Sequence, residues 1–100
     1  MDSARYHAFR IVFEFETFNL QLKSIRNAYY KKNNIASNDR KRAMVLSNEV
    51  IRWKKFLDAL IAPSLNKSIK KLPLEILCIL RLGYYEFFMD ESVPDHAVVN

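Results

Sequence analysis

Residues 72–100, LPLEILCILRLGYYEFFMDESVPDHAVVN, carry the clearest structural pattern of this chain. Apolar and aromatic side chains recur there at steps of three and four residues, which is the spacing of one face of an α-helix. That face would hold Leu74, Leu77, Arg81, Tyr84 and Phe88. Ile76, Leu80 and Phe87 lie beside it. The apolar surface would therefore wrap most of the way round, and the pattern predicts a helix buried in a folded core.

Two prolines flank this predicted helix. Pro73 can occupy a first helical position, where its missing N–H costs nothing. Pro94 offers a second such position after the acidic link at residues 90–93, so another helix would begin there. The sequence stops a few residues into that helix, and a single helical turn is not stable alone. We therefore expect either that this chain is a fragment of a longer protein, truncated in its last helix, or that its ordered part ends early.

The composition favours a helical fold. Half of the 100 residues are hydrophobic and 13% are aromatic, so the chain should fold rather than stay disordered. It contains one glycine and three prolines, fewer turn residues than a sheet protein of this size usually needs. We predict one all-α domain over residues 1–100, built as a helical bundle without strands.

The single cysteine and the length of the apolar runs narrow the class of protein. One cysteine excludes an internal disulfide, and Cys78 is predicted to be a reduced, buried thiol because its neighbours are apolar. No apolar run approaches the roughly 18 residues of a membrane span. The N-terminal residues also lack the apolar core of a signal peptide. A cytoplasmic location without a membrane partner is the expectation.

Two helices are predicted in the first third of the chain. Ser3 is a candidate N-cap for a helix over residues 4–17. Asn19 is the expected start of a second helix, which should stop near residues 32–34 because asparagines favour a turn. The inner face of the first helix would consist of Ala4, Ala8, Ile11, Val12, Phe15 and Phe18.

A third, long or kinked helix is predicted over residues 39–62. Ser37 is its candidate cap. Pro63 should end it, because the residue before a proline is biased away from the helical conformation. The apolar stripe changes phase after Trp53. The predicted core of the whole domain includes Phe15, Leu46, Val50, Leu57, Leu77, Leu80 and Tyr84.

The net charge of +5 is unevenly distributed. Residues 1–34 carry a net charge of +3, residues 35–71 of +6 and residues 72–100 of −4. The middle segment contains RKR at residues 40–42 and RWKK at residues 52–55. Phosphate neutralisation would explain these groups, and a lysine-rich surface that faces only solvent explains them equally well. Cations in the first turn of a helix oppose its dipole, which is weak evidence for a use elsewhere.

No catalytic or metal-binding motif is recognisable. Gly83 is the only glycine, so no glycine-rich phosphate loop exists. His7 and His96 lie far apart in sequence, and neither has a cysteine or carboxylate at ligand spacing. We assign no catalytic residue and no metal ligand to this chain.

Two large side chains have two interpretations each. Trp53 could stack on a base of single-stranded RNA, but we favour a place in the core because it continues the apolar stripe. Arg81 could contact nucleic acid, but we favour a structural pairing with a carboxylate or with carbonyl groups, because it lies in a leucine-rich helix.

Several motifs together resemble the NusB-like RNA-binding domain. The helix motif LRLGY at residues 80–84 is followed by PDHAVVN at residues 94–100. DRKRA at residues 39–43, VIRW at residues 50–53 and LDALI at residues 57–61 are most similar to one branch of that family. This branch is the N-terminal domain of bacterial rRNA cytosine-5 methyltransferases of the Sun/Fmu type. Residues 19–36 match nothing in the pattern.

The resemblance implies an RNA-binding accessory domain that helps a methyltransferase to engage rRNA. Two alternatives are a free-standing antitermination factor, which binds RNA with a ribosomal-protein partner, and a helical protein–protein docking module. No cofactor is expected in this chain; S-adenosylmethionine would belong to a C-terminal catalytic domain in the same protein. Cys78 should not be taken for the nucleophile of that domain. The expected RNA contacts are Arg40, Arg42, Arg52, Lys54 and Lys55, followed by Arg5 and Arg10.

Overall fold

The fold is all-α, as predicted. A computed structural model describes residues 3–90, and it contains no strand in that range. Its α-helices are α1 (Ser3–Phe18), α2 (Leu22–Lys32), α3 (Ser37–Arg52), α4 (Lys54–Ile61) and α5 (Leu74–Phe88). Two single-turn 3₁₀ helices, Ala62–Ser64 and Ile69–Lys71, lie between α4 and α5. The predicted helix after Pro94, and His96 within it, lie outside the described residues.

The chain divides into two compact units, Met1–Arg52 and Trp53–Asn100. In the first unit, α1 packs against both α2 and α3. A buried cluster joins Ile11 of α1 with Ile25 and Tyr29 of α2 and with Ile35 of the following loop. The other buried residues of this unit are Ala4, Ala8, Val12, Ala43, Leu46, Ser47 and Val50.

Polar contacts fix α2 in place within the first unit. Nδ1 of His7 lies 2.6 Å from the hydroxyl of Tyr29, which joins α1 to α2. Nη1 of Arg26 donates to Oδ1 of Asn48 at 2.8 Å, which joins α2 to α3. Burial, followed by the charge interaction with Tyr6, raises the pKa of Tyr29. Its hydroxyl is therefore protonated at neutral pH and can donate to the imidazole.

Asn19 ends α1 and does not begin α2, so the predicted start of the second helix was wrong. Its φ of 54° lies in the left-handed region, which asparagine tolerates better than most residues. Its N–H donates to the carbonyl of Phe15 at 3.3 Å. The left-handed backbone stops the helix, and α2 begins at Leu22.

The third predicted helix is interrupted. Ser37 is the first helical residue of α3 and not its cap, because the N–H of Arg40 bonds to the carbonyl of Ala36 at 2.9 Å. Trp53 has φ −98° and ψ 16°, outside the helical region, at the point where the apolar stripe changes phase. Its carbonyl accepts from the N–H of Leu57 at 2.8 Å, so α4 starts anew after it.

The second unit is built on the packing of α4 against α5. Its buried side chains include Leu57 and Ile61 from α4 and Cys78, Leu82 and Tyr85 from α5. Cys78 is a buried thiol that forms no disulfide, as predicted. Pro73 occupies the N-cap position of α5 and not the first helical position, which was the prediction.

Arg81 forms a bidentate ion pair with Asp58, which confirms its structural interpretation. Nε donates to Oδ1 at 2.7 Å and Nη2 donates to Oδ2 at 2.9 Å. This fork geometry is the strongest arrangement available to an arginine and a carboxylate. The pair therefore joins α5 to α4 at a defined rotation of α5.

The predicted core was wrong at four of its seven positions. Leu46, Val50 and Leu57 are fully buried. Phe15, Leu77, Leu80 and Tyr84 are only half-buried, and Phe18, on the predicted inner face of α1, is exposed. On α5 the buried stripe runs through residues 78, 81, 82, 85 and 86. Apolar side chains surround this helix, so its sequence period could not select the buried face.

Gly83 lies exposed on α5, and replacing it by alanine should stabilise the chain. Among the described residues no atom lies within 4 Å of a Cβ placed at this position. Gly83→Ala should raise the free energy of unfolding by about 0.5–1 kcal/mol, because glycine loses more backbone entropy in a helix than alanine does. Urea titration followed by circular dichroism measures this change. The reverse substitution at an exposed site on α4, Ala59→Gly, should lower stability by a similar amount. A loss of stability in Gly83→Ala would contradict the open space found here.

Candidate nucleic-acid interface

A basic segment connects the end of α2 to the start of α3. Between residues 31 and 42, five side chains are cationic and one, Asp39, is acidic. Lys31 and Lys32 form the last turn of α2, where cations complement the negative end of the helix dipole. The cations at residues 40–42 open α3, where the dipole opposes them. The helix dipole therefore does not account for the second group of cations.

Arg40 is attached to Tyr30 at two points. The Tyr30 hydroxyl donates to the backbone carbonyl of Arg40 at 3.0 Å. The Cζ atom of Arg40 lies 5.8 Å from the centroid of the Tyr30 ring, within the range of a cation–π contact. Burial raises the pKa of Tyr30, although Arg26 and Arg40 act to lower it. The phenol is therefore neutral at physiological pH and remains a hydrogen-bond donor.

Two shallow depressions share Arg40 in their lining. One, of about 290 Å³, is lined mainly by polar atoms; the other, of about 260 Å³, is lined mainly by apolar atoms. The polar depression is formed by Tyr30, Lys31, Lys32, Asn33, Asn34, Ile35 and Arg40. The apolar depression is formed by Ser37, Arg40, Lys41 and Met44. No carboxylate within residues 3–90 lines either one.

Asn33 holds the rim of the polar depression. Its backbone N–H and its side-chain Nδ2 both donate to the carbonyl of Tyr29, at 3.1 and 2.9 Å. These two bonds close the C-terminus of α2 and turn the chain away from the helix. The neighbouring Asn34 is exposed, so its amide faces solvent beside Lys31 and Lys32. The depression therefore has a rigid rim with an exposed amide and cations on it.

Four of the other predicted RNA contacts in the first unit have partners within the protein. Arg5 and Arg42 are half-buried and Arg52 is exposed, and each interacts with other protein groups. Arg10 lies 3.8 Å from Glu14 and 5.7 Å from the centroid of the Phe13 ring. An RNA phosphate would have to compete with these partners. Arg40, by contrast, is exposed, and its guanidinium lies over the ring of Tyr30.

Lys54 and Lys55 belong to the second unit, beside two aromatic side chains. Lys55 is exposed and Lys54 is half-buried, with an interaction inside the protein. Trp53 is 38% exposed and meets Phe56 edge to face, with a ring separation of 6.2 Å. The favoured core interpretation of Trp53 was therefore wrong. Its exposed ring agrees with the alternative interpretation, a stacking surface for a base.

The sequence prediction therefore found Arg40 but missed most of its surroundings. Tyr30, Lys31, Lys32, Asn34 and Met44 lie around it and were not proposed as contacts. The signal that could have found them is the run YYKKNN at residues 29–34. It contains two aromatic, two basic and two amide side chains in succession, ending at a turn. That segment has no counterpart in the motifs that resemble the NusB-like domain.

The described residues offer no second type of site. Within residues 3–90, no three side chains among histidine, cysteine, aspartate and glutamate lie close enough to share a metal ion. None of the helices in the same range combines the length and the apolar character needed to cross a membrane.

Comparison with known proteins agrees with this picture at the level of the family. A sequence model described as the NusB family matches residues 2–100. No curated protein and no solved structure matches the chain. Because the match spans nearly every residue, the chain belongs to the NusB family.

Proposed function

We propose that this chain is an RNA-binding accessory domain that engages structured rRNA through its basic helix faces. Membership of the NusB family supports RNA binding. The observation that carries the proposal is the group of exposed cations around Arg40, beside which no carboxylate of the described residues lines either depression. Phosphate contacts position a protein on RNA but carry little sequence information. Specificity would therefore come from RNA shape or from a catalytic domain attached to this one.

Within the family, the rRNA cytosine-5 methyltransferase branch is the finer proposal. VIRW at residues 50–53 and LDALI at residues 57–61 support it. S-adenosylmethionine and the catalytic chemistry would then belong to a C-terminal methyltransferase domain, and the whole protein would act in the cytoplasm. A reading frame that continues into such a domain is the expected observation. A reading frame that ends at this domain would favour the antitermination factor, with a ribosomal protein as its partner.

Reversing three cations should weaken RNA binding and reduce its salt dependence. Arg52→Glu, Lys54→Glu and Lys55→Glu together should lower affinity for an rRNA hairpin at least tenfold at low salt. The slope of log affinity against log salt concentration should fall in magnitude by about 2–3, because each neutralised phosphate releases counterions. Fluorescence anisotropy across a salt series measures both quantities.

The matched control changes the same amount of charge elsewhere in the chain. Lys67→Glu, Lys70→Glu and Lys71→Glu together alter three exposed lysines on the connection before α5. This variant should lose less affinity than the first. Equal losses in both variants would show attraction by net charge alone. An unchanged affinity in the first variant would exclude residues 52–55 from the RNA surface.

A docking module is the second candidate, and an apolar stripe on α5 favours it. Ile76, Ile79 and Phe87 are exposed at helical spacing, with Gly83 between them. A small residue inside an apolar stripe allows another helix to approach closely. Ile79→Glu should then reduce binding to a protein partner without changing RNA affinity. If the chain bound no RNA at low salt, this candidate would replace the first.

A further inference from the structure

We propose that the two depressions beside Arg40 form a binding site for one nucleotide of single-stranded RNA. Its phosphate would lie in the polar depression and its base in the apolar one. The proposal rests on the RNA-binding function above and names the subsite and the part of the RNA that it takes. Lys31, Lys32, Asn34 and Met44 are thereby assigned to the interface.

The charge of the polar depression suits a phosphate. Lys31, Lys32 and Arg40 all line the polar depression, and all three are exposed. Among the described residues this depression has no acidic side chain in its lining, so its cations have no competing anion there. The amide of Asn34 supplies a donor and an acceptor at the same rim, which suits a 2′-hydroxyl. A ribose phosphate matches this combination of groups.

The surface of the apolar depression suits a base. Met44, which is partly exposed, lines it together with Ser37, Arg40 and Lys41, and most of the surface of the depression is apolar. Methionine is flexible and polarizable, and its sulfur contacts aromatic rings favourably. A flat, weakly polar base fits such a surface, whereas an acidic peptide side chain or a free phosphate would gain nothing from it. The pairing of one polar and one apolar depression therefore favours a nucleotide.

Arg40 joins the two halves, and Tyr30 is its positioning residue. Arg40 lines both depressions. Its backbone accepts a hydrogen bond from Tyr30, and its guanidinium lies over the same ring. A guanidinium held in this way loses less conformational freedom on binding than a freely rotating lysine does. The two depressions, of about 290 and 260 Å³, are smaller than most ligand pockets, and each suits only part of a nucleotide.

The first experiment compares Arg40→Gln with Lys23→Gln. Both variants lose one positive charge, and Lys23 is an exposed residue of α2 that lines neither depression. The probe is a five-nucleotide adenosine RNA, and affinity is measured by anisotropy at low salt. Arg40→Gln should weaken binding about tenfold and Lys23→Gln less than twofold. Circular dichroism checks that both variants fold. Arg40→Lys keeps the charge but loses the planar fork, so it should recover only part of the affinity.

The second experiment separates base from phosphate. A five-unit abasic RNA of the same phosphate charge should bind the wild type several-fold more weakly than the adenosine RNA. Met44→Ser should remove that difference, because the apolar surface is lost. Tyr30→Leu should weaken binding, and Tyr30→Phe should restore most of it, because the ring under Arg40 is retained. Equal binding of abasic and adenosine RNA would overturn the base half of the proposal.

The outcomes distinguish a failure of the proposed subsite from a failure of the proposed function. If the wild type binds RNA and Arg40→Gln binds it as well as Lys23→Gln does, the subsite is wrong and the proposed function stands. If the wild type binds neither the adenosine RNA nor the rRNA hairpin at low salt, both are overturned. If it binds the hairpin but not the adenosine RNA, only the subsite is overturned. Arg40-dependent binding to an acidic peptide or to anionic lipid vesicles, without binding to RNA, would also overturn both. NMR amide shifts confined to residues 30–44 on addition of the adenosine RNA are the supporting result.

Discussion

Leu46→Ala should destabilise the chain by about 2–5 kcal/mol, the range for removing a large aliphatic side chain from a packed core. Leu46 has no exposed surface and lies on the buried face of α3 with Ala43 and Val50. The substitution removes the transfer free energy of three carbon atoms and leaves a cavity that rigid neighbouring helices fill only in part. Urea unfolding monitored by circular dichroism gives the difference in free energy.

Leu20→Ala is the control for this experiment. It makes the same chemical change in the same unit, at a side chain that is 57% exposed in the link between α1 and α2. It should cost less than about 0.5 kcal/mol, as surface substitutions usually do. If Leu46→Ala cost no more than Leu20→Ala, α3 would not pack as described.

Asp58→Ala should cost about 3 kcal/mol, because it removes the carboxylate that Arg81 binds with two hydrogen bonds. The side chain of Arg81 is 7% exposed and that of Asp58 is 28% exposed. A buried guanidinium that loses its carboxylate keeps the desolvation cost and loses the compensating attraction. The estimate lies at the lower end of the range for breaking a buried pair, since water already reaches part of Asp58. Thermal and urea unfolding both report the loss.

A matched pair of variants tests the reason for that loss. Glu75→Ala removes a carboxylate from an exposed position in the first turn of α5 and should cost less than about 1 kcal/mol. Asp58→Leu combined with Arg81→Met replaces both charges by apolar groups and should recover part of the loss, because no unpaired charge remains. If the double variant were as unstable as the sum of its single variants, the two side chains would not be energetically coupled.

The helices and much of the buried surface of the first unit could be predicted from the sequence. The period of α1 gave four buried residues, Ala4, Ala8, Ile11 and Val12. It also gave Phe15, which is half-buried, and Phe18, which is exposed, because aromatic side chains continue onto the other faces of this helix. The same reasoning gave Leu46 and Val50 on α3. Where a helix has one apolar face, the hydrophobic effect alone orients it, and local sequence is sufficient.

The candidate site was only partly predictable. Charge density identified Arg40, since a cation in the first turn of a helix stands out against the dipole. Tyr30, which lies ten residues away on α2, supports it only because the turn at Asn33 and Asn34 brings the two helix ends together. A contact between helices depends on their packing, so periodicity within either helix could not reveal it.

By itself, then, the sequence determined that this protein is helical, that Cys78 is buried and that the region of residues 40–55 is basic. Only the tertiary structure decided which face of α5 is inside. Apolar side chains surround that helix, so hydrophobic burial barely distinguishes one rotation from another. The ion pair between Arg81 and Asp58 does distinguish them, because a desolvated guanidinium must meet its carboxylate. It turns residues 78, 82 and 85 inward and leaves Ile76, Ile79 and Phe87 exposed.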